Sequence, residues 1–126
     1  MTKEAIFPGK PWFDTHGRRI RAHGGAVYYD DGVYYWIGEN KQFTHKGSKV
    51  WSWGVSAYSS LDLINWRDEG LIIPPVPWDK KSPLHPNRRL DRPHIPCRRI
   101  IPRMFSSAIG ILTLLVLSHS SPLASD

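Results

Sequence analysis

Ala26-Val27-Tyr28-Tyr29, then Asp30-Asp31-Gly32, then Val33-Tyr34-Tyr35-Trp36-Ile37-Gly38 is the stretch on which the fold turns. Two runs of aromatic and β-branched residues flank an Asp-Gly pair, which supplies the positive φ values that a two-residue hairpin turn demands. The stretch reads as two antiparallel strands. Further along, Gly54 to Ser59 (GVSAYS) predicts a third strand, with Val55, Ala57 and Ser59 on one face and Tyr58 on the other. Ser60-Leu61-Asp62-Leu63 reads as a single helical turn and Trp66 to Ile73 as a fourth strand. The polar insert Asn40 to Lys49, which holds Lys41, His45, Lys46 and Lys49, is a surface loop.

Composition narrows the class. The chain has 126 residues and 17 Lys+Arg against 11 Asp+Glu, a net charge of +6, with 40% apolar residues and a mean hydropathy of -0.39. These values fit a globular protein and exclude bulk disorder or a polytopic membrane protein. The single cysteine, Cys97, excludes an internal disulfide framework and any zinc site built from several thiolates. Two compositions are joined in one chain. Residues 1–78 carry nine Lys+Arg against eight Asp+Glu, and they hold all six Trp and all five Tyr. Residues 79–104 carry eight against two, crowded with Pro83, Pro86, Pro93, Pro96 and Pro102, a mix that holds neither a helix nor a central strand. Ala108 to Leu117 is a ten-residue apolar run, against the roughly 20 residues a spanning helix needs, so no membrane partner is expected. The N-terminal MTKEAIFPGKPWF lacks the apolar core of a signal peptide, so the chain as written is not addressed for export.

Four antiparallel strands in about 50 residues match one blade of a β-propeller, an architecture that repeats such sheets around a channel. A blade has two faces to cover, and Trp36, Trp51, Trp53 and Trp66 would otherwise present large apolar patches to water. The chain is therefore expected to be a piece of a larger domain.

The strings Pro11-Trp12-Phe13-Asp14-Thr15-His16-Gly17, Ile20-Arg21-Ala22-His23-Gly24-Gly25, Tyr34 to Lys41, Val55 to Trp66 and Pro86 to Ile95 together resemble the first blade of glycoside hydrolase family 43, and more narrowly its galactan 1,3-β-galactosidase branch. The resemblance implies an all-β fold: the first blade, and the start of the second, of a five-bladed propeller over about residues 7–95. An irregular, non-matching tail follows over 96–126. Such a change of composition after a good match points to a shifted reading frame, a retained intron or a mispredicted gene end, and sequencing the transcript across the codons for Ile95 and Pro96 tests it. The resemblance also implies a galactan-type polysaccharide or oligosaccharide partner, no cofactor, and a usually secreted setting.

Three residues carry the implied sugar site. Glu39, at the end of the second strand, matches a carboxylate in or beside the family's sugar pocket; the alternative is a surface Glu paired with Lys41. Asp91 stands in Leu-Asp-Arg-Pro where the family commonly has Glu-Arg-Pro, and the resemblance gives that carboxylate the terminal galactose. Arg92 beside it reads as an anchor for the next blade. His23 falls where the broader family places a general-base Asp, which the galactosidase branch lacks. His23 lines the pocket in this reading, with His-Gly-Gly letting backbone approach the ligand; the alternative is a structural turn histidine. The family's general acid is a Glu on a later blade, and no residue here matches it, so no catalytic residue is assigned.

Asp14, Asp30, Asp31 and Asp62 read as turn and cap residues. Trp51-Ser52-Trp53 reads as packing, with sugar stacking as the alternative. His45, His85, His94 and His119 show no metal-ligand spacing. The basic stretch Lys80 to Arg103 contains no aromatic residue for base stacking, which argues against nucleic acid. Two other classes stay open: a non-catalytic carbohydrate-binding module, and a nonfunctional gene remnant that folds poorly.

Overall fold

The computed structural model describes residues 2–90, 92 and 93. Asp91 and residues 94–126, with Cys97 and the apolar run, lie outside the described residues. Among the described residues there are four strands and no helix: β1 His23–Asp30, β2 Val33–Glu39, β3 Val55–Ser60 and β4 Arg67–Ile73. They form one antiparallel sheet in the order β1-β2-β3-β4. The hairpin forms where the sequence places it. Asp30 pairs with Val33 across a two-residue loop in which Asp31 and Gly32 take φ of 47° and 82°.

β3 is central and buried on both faces, so two cores form. Ile37, Val55, Ala57, Ile72 and Ile73 pack on one face with Leu84 and Leu90 from the segment after β4. On the other face, Tyr58 and Trp66 pack with Ile20 and Ala22, and the rings of Trp12 and Trp66 each stand edge-on to Trp36 at 5.3 Å. The sequence reading left this face for a neighbouring blade to cover. Instead, the N-terminal strap covers the Trp36 and Trp66 part of it. The strap, residues 12–22, is tied down by a bond from Thr15 N–H to the Trp66 carbonyl (2.9 Å), and a bond from Ile20 N–H to the Trp12 carbonyl (2.8 Å) closes it on itself. Its bend is made by buried Asp14, whose Oδ1 accepts from the N–H groups of His16 (2.8 Å) and Arg18 (2.9 Å), the turn role its sequence context predicts.

The helical turn expected at Ser60 to Leu63 does not form. Leu63 takes a φ of 65°, which a right-handed turn cannot contain. Side chains take the local N–H groups instead. Ser60 Oγ accepts from Leu63 N–H (2.9 Å), while Asp62 Oδ1 accepts from the N–H groups of Ile64 (2.9 Å) and Asn65 (2.7 Å). This is the competition between short polar side chains and helix that disfavours Ser and Asp in helix interiors. The bonds from Asn65 and Ile64 hold the Asp62 carboxyl well below the usual carboxylate range. A depressed carboxyl contributes stability above its unfolded value, near pH 4, and loses it as pH falls below that. Asp62→Ala is therefore expected to melt a few degrees below the parent chain at pH 7. That gap should narrow on acidification below about pH 4 in paired thermal melts; a gap independent of pH would refute this role for Asp62.

Candidate functional site

The site is built at the open end of the β1–β2 pair, and a bulge creates it. His23 pairs with Glu39 and Ala26 with Ile37, so Gly24 and Gly25 together oppose the single residue Gly38. Gly24 takes a φ of 59°. A Cβ on Gly25 would lie 1.7 Å from the Ile37 carbonyl oxygen, so β1 and β2 approach this closely only because position 25 has no side chain. The His-Gly-Gly string thus brings backbone against backbone at Gly25, while Gly24 lines the cleft. Its result is to set the His23 and Glu39 side chains at one cleft of about 280 Å³, which Lys41, Trp51, Arg89 and Leu90 also line.

Glu39 is 4% exposed, and its carboxylate is held from two sides. Oε2 accepts the Leu90 N–H at 2.5 Å, a contact across 51 positions of sequence. Oε1 pairs with Lys41 Nζ, which also donates to the Trp51 carbonyl at 2.6 Å. The pairing of Glu39 with Lys41 that the surface reading foresaw is present, but the carboxylate is in the wall of a cleft and not on the surface. Asn40 fixes the chain as it leaves β2. Its N–H donates to the Gly54 carbonyl at 2.9 Å, and its side chain bridges Gln42 N–H and Ser56 Oγ, both at 2.9 Å.

Trp51 stands on the cleft rim, 43% exposed, with the Arg89 guanidinium 4.2 Å from its ring centroid. Two backbone bonds from Trp51 and Ser52 to the Pro86 carbonyl tie this loop to the segment that delivers Leu90. Of the Trp51-Ser52-Trp53 pair, only Trp53 takes the packing role, edge-on to Phe43 at 4.8 Å. The His23 pKa is lowered first by burial and then by the charges of Lys41, Arg21 and Arg19, so its imidazole is neutral at pH 7.

His23 and Glu39 are therefore brought together, while Asp91 lies outside the described residues. Its neighbours Leu90 and Arg92 line the same cleft. Lys41, Arg89 and Arg92 are lining residues that sequence reasoning did not place there, and Trp51, for which sugar stacking was the alternative, lines the cleft as well. A larger groove of about 670 Å³ runs between the strap and Trp66, but it is mainly apolar, whereas the Glu39 cleft holds a buried carboxylate fixed by Leu90 and Lys41. Among the described residues, no group of three His, Cys, Asp or Glu is placed to hold a metal ion, and no helix is long and apolar enough to cross a membrane.

No protein-family model and no curated protein matches the sequence. Solved structures do. A family 43 β-1,3-galactosidase is 36% identical over 71% of this chain, with a TM-score of 0.56. The chain carries part of the glycoside hydrolase family 43 fold. Its family 43 neighbours are five-bladed β-propellers, and the four-stranded sheet is the first blade of one. An exo-β-1,3-galactanase from Phanerochaete chrysosporium, solved with galactose, is 29% identical over 75% of the chain, with a TM-score of 0.62. Variants of that enzyme have been solved with β-1,3-galactotriose. A further family 43 β-1,3-galactosidase, solved with galactodeoxynojirimycin, is 32% identical over 68% of the chain, with a TM-score of 0.55. The chain spans 18%, 20% and 24% of the length of these three relatives.

Proposed function

We propose that this chain is the sugar-recognising first blade of a family 43 glycosidase acting on β-1,3-galactan, and that by itself it binds the glycan without cleaving it. The observation that supports this most is Glu39, a carboxylate sequestered in a cleft wall and positioned by Leu90 N–H and Lys41. A carboxylate accepts at about four positions, so one held in this way serves as a fixed acceptor for sugar hydroxyls. Neutral His23 offers one donor and one acceptor beside it, and the Trp51 ring offers an apolar surface at the rim. In this reading Asp91, between Leu90 and Arg92, adds a second carboxylate to the terminal galactose. Residues 7–95 belong to the hydrolase domain and residues 96–126 do not.

Hydrolysis of a glycosidic bond needs an acid to protonate the departing oxygen. The family resemblance assigns that acid to a later blade. The full chain incubated with β-1,3-galactotriose is therefore expected to bind it and to release no galactose, read by calorimetry and by chromatography of the supernatant. Release of galactose would refute the division of labour, and absence of binding would refute the site.

A further inference from the structure

The apolar groove between the strap and Trp66 shares no lining residue with the Glu39 cleft. Ile6, Phe7, Trp12, Phe13, Ile20 and Trp66 line it, and Phe7 is 69% exposed. An open apolar groove of this kind marks an interaction site, because burying such surface is favourable. The same chain carries a segment of matching chemistry. Residues 108–117 hold eight apolar side chains in ten and no charged one. Fourteen residues, 94–107, join that run to Pro93, the last described position. Extended, they reach roughly 50 Å, whereas a folded body of about 90 residues is roughly 30 Å across, so the run can reach any face of the blade. Tethering also holds the run near the groove at an effective concentration of millimolar order, which favours it over a second copy of the chain in dilute solution.

We propose that residues 108–117 dock in the groove over Phe7, Trp12 and Trp66, so that the chain covers its own apolar surface. The test is paramagnetic relaxation in the full chain, with the single cysteine relocated by Cys97→Ser/Ser118→Cys and a spin label attached there, just after the run. Trp53 precedes β3 and Trp66 precedes β4, so the antiparallel pairing sets the two rings at opposite ends of the β3–β4 pair and makes Trp53 the internal reference. The indole signals of Trp12 and Trp66 are expected to lose most of their intensity, while that of Trp53 keeps most of its own. Adding Leu114→Asp/Leu115→Asp to the labelled chain should restore the lost signals. Spin-labelled chain mixed with isotope-enriched, unlabelled chain should leave the Trp12 and Trp66 signals intact. Broadening in that mixture assigns the groove to a second copy and overturns the proposal. Equal broadening of all the indoles, no broadening, or broadening that persists in the aspartate variant overturns it as well. The labelled and mixed samples decide the question even if the aspartate variant aggregates.

Discussion

Gly25→Ala is expected to cost about 3 kcal/mol or more of unfolding free energy. The added methyl carbon would sit 1.7 Å from the Ile37 carbonyl oxygen and 2.6 Å from the Gly38 Cα, both backbone atoms of β2. No rotamer relieves such a contact, so β1 must move off β2 at the bulge. That movement also carries His23 away from Glu39. Gly32→Ala is the control. Gly32 takes a φ of 82°, but a Cβ there meets nothing within 4 Å. Its cost is the left-handed conformation alone, about 1–2 kcal/mol. Urea titrations of the two variants should give clearly different midpoints. Equal midpoints would mean that the close approach at Gly25 is not what the mutation disturbs.

Substitution of Glu39 is expected to have the largest effect on ligand binding. Glu39→Gln keeps an acceptor for the Leu90 N–H and loses the charge that pairs with Lys41. A hydrogen bond to a charged group is worth about 1.5–3 kcal/mol, so galactose affinity should fall by roughly tenfold to a hundredfold or more. Glu39→Ala does more. It leaves the Leu90 N–H without its acceptor and Lys41 without its counter-charge, at a further stability cost of about 2 kcal/mol. Lys41 is partly solvated, which keeps this below the penalty for breaking a fully buried pair. Calorimetric titration of the three chains with galactose checks the binding, and urea melts check the stability. If Glu39→Gln binds galactose as the parent chain does, the carboxylate is a structural clamp on Leu90 and not a sugar acceptor.

What could be read from the sequence, and what could not, divides by range. The hairpin is legible because Asp31-Gly32 fixes a turn from two adjacent residues, and β4 follows β3 after a short connection, whereas residues 40–54 separate β2 from β3. Glu39 and His23 are singled out because the strings around them resemble those of glycoside hydrolase family 43. The contact between Glu39 and Leu90 spans 51 positions and leaves no periodic trace, so the partner that orients the carboxylate was invisible. The same holds for Arg89 over Trp51. At Ser60 to Leu63 the local signal was ambiguous in kind. Ser and Asp suit both the start of a helical turn and a side-chain-capped loop, and the left-handed φ of Leu63, which decided it, is not written in a leucine. The covering strap is hidden from the sequence for a different reason. Asp14 was recognised as a turn residue, but a turn does not reveal that the chain on either side of it covers Trp36 and Trp66.

The central claim is that the cleft at Glu39 is where this blade meets galactan. An NMR titration of the full chain with β-1,3-galactobiose, following amide and indole signals, tests it most directly. The account predicts shifts that cluster on His23, Glu39, Lys41, the Trp51 indole and the Leu90 amide. Shifts confined to the apolar groove around Phe7, Trp12 and Trp66, or no shifts at all, would contradict it.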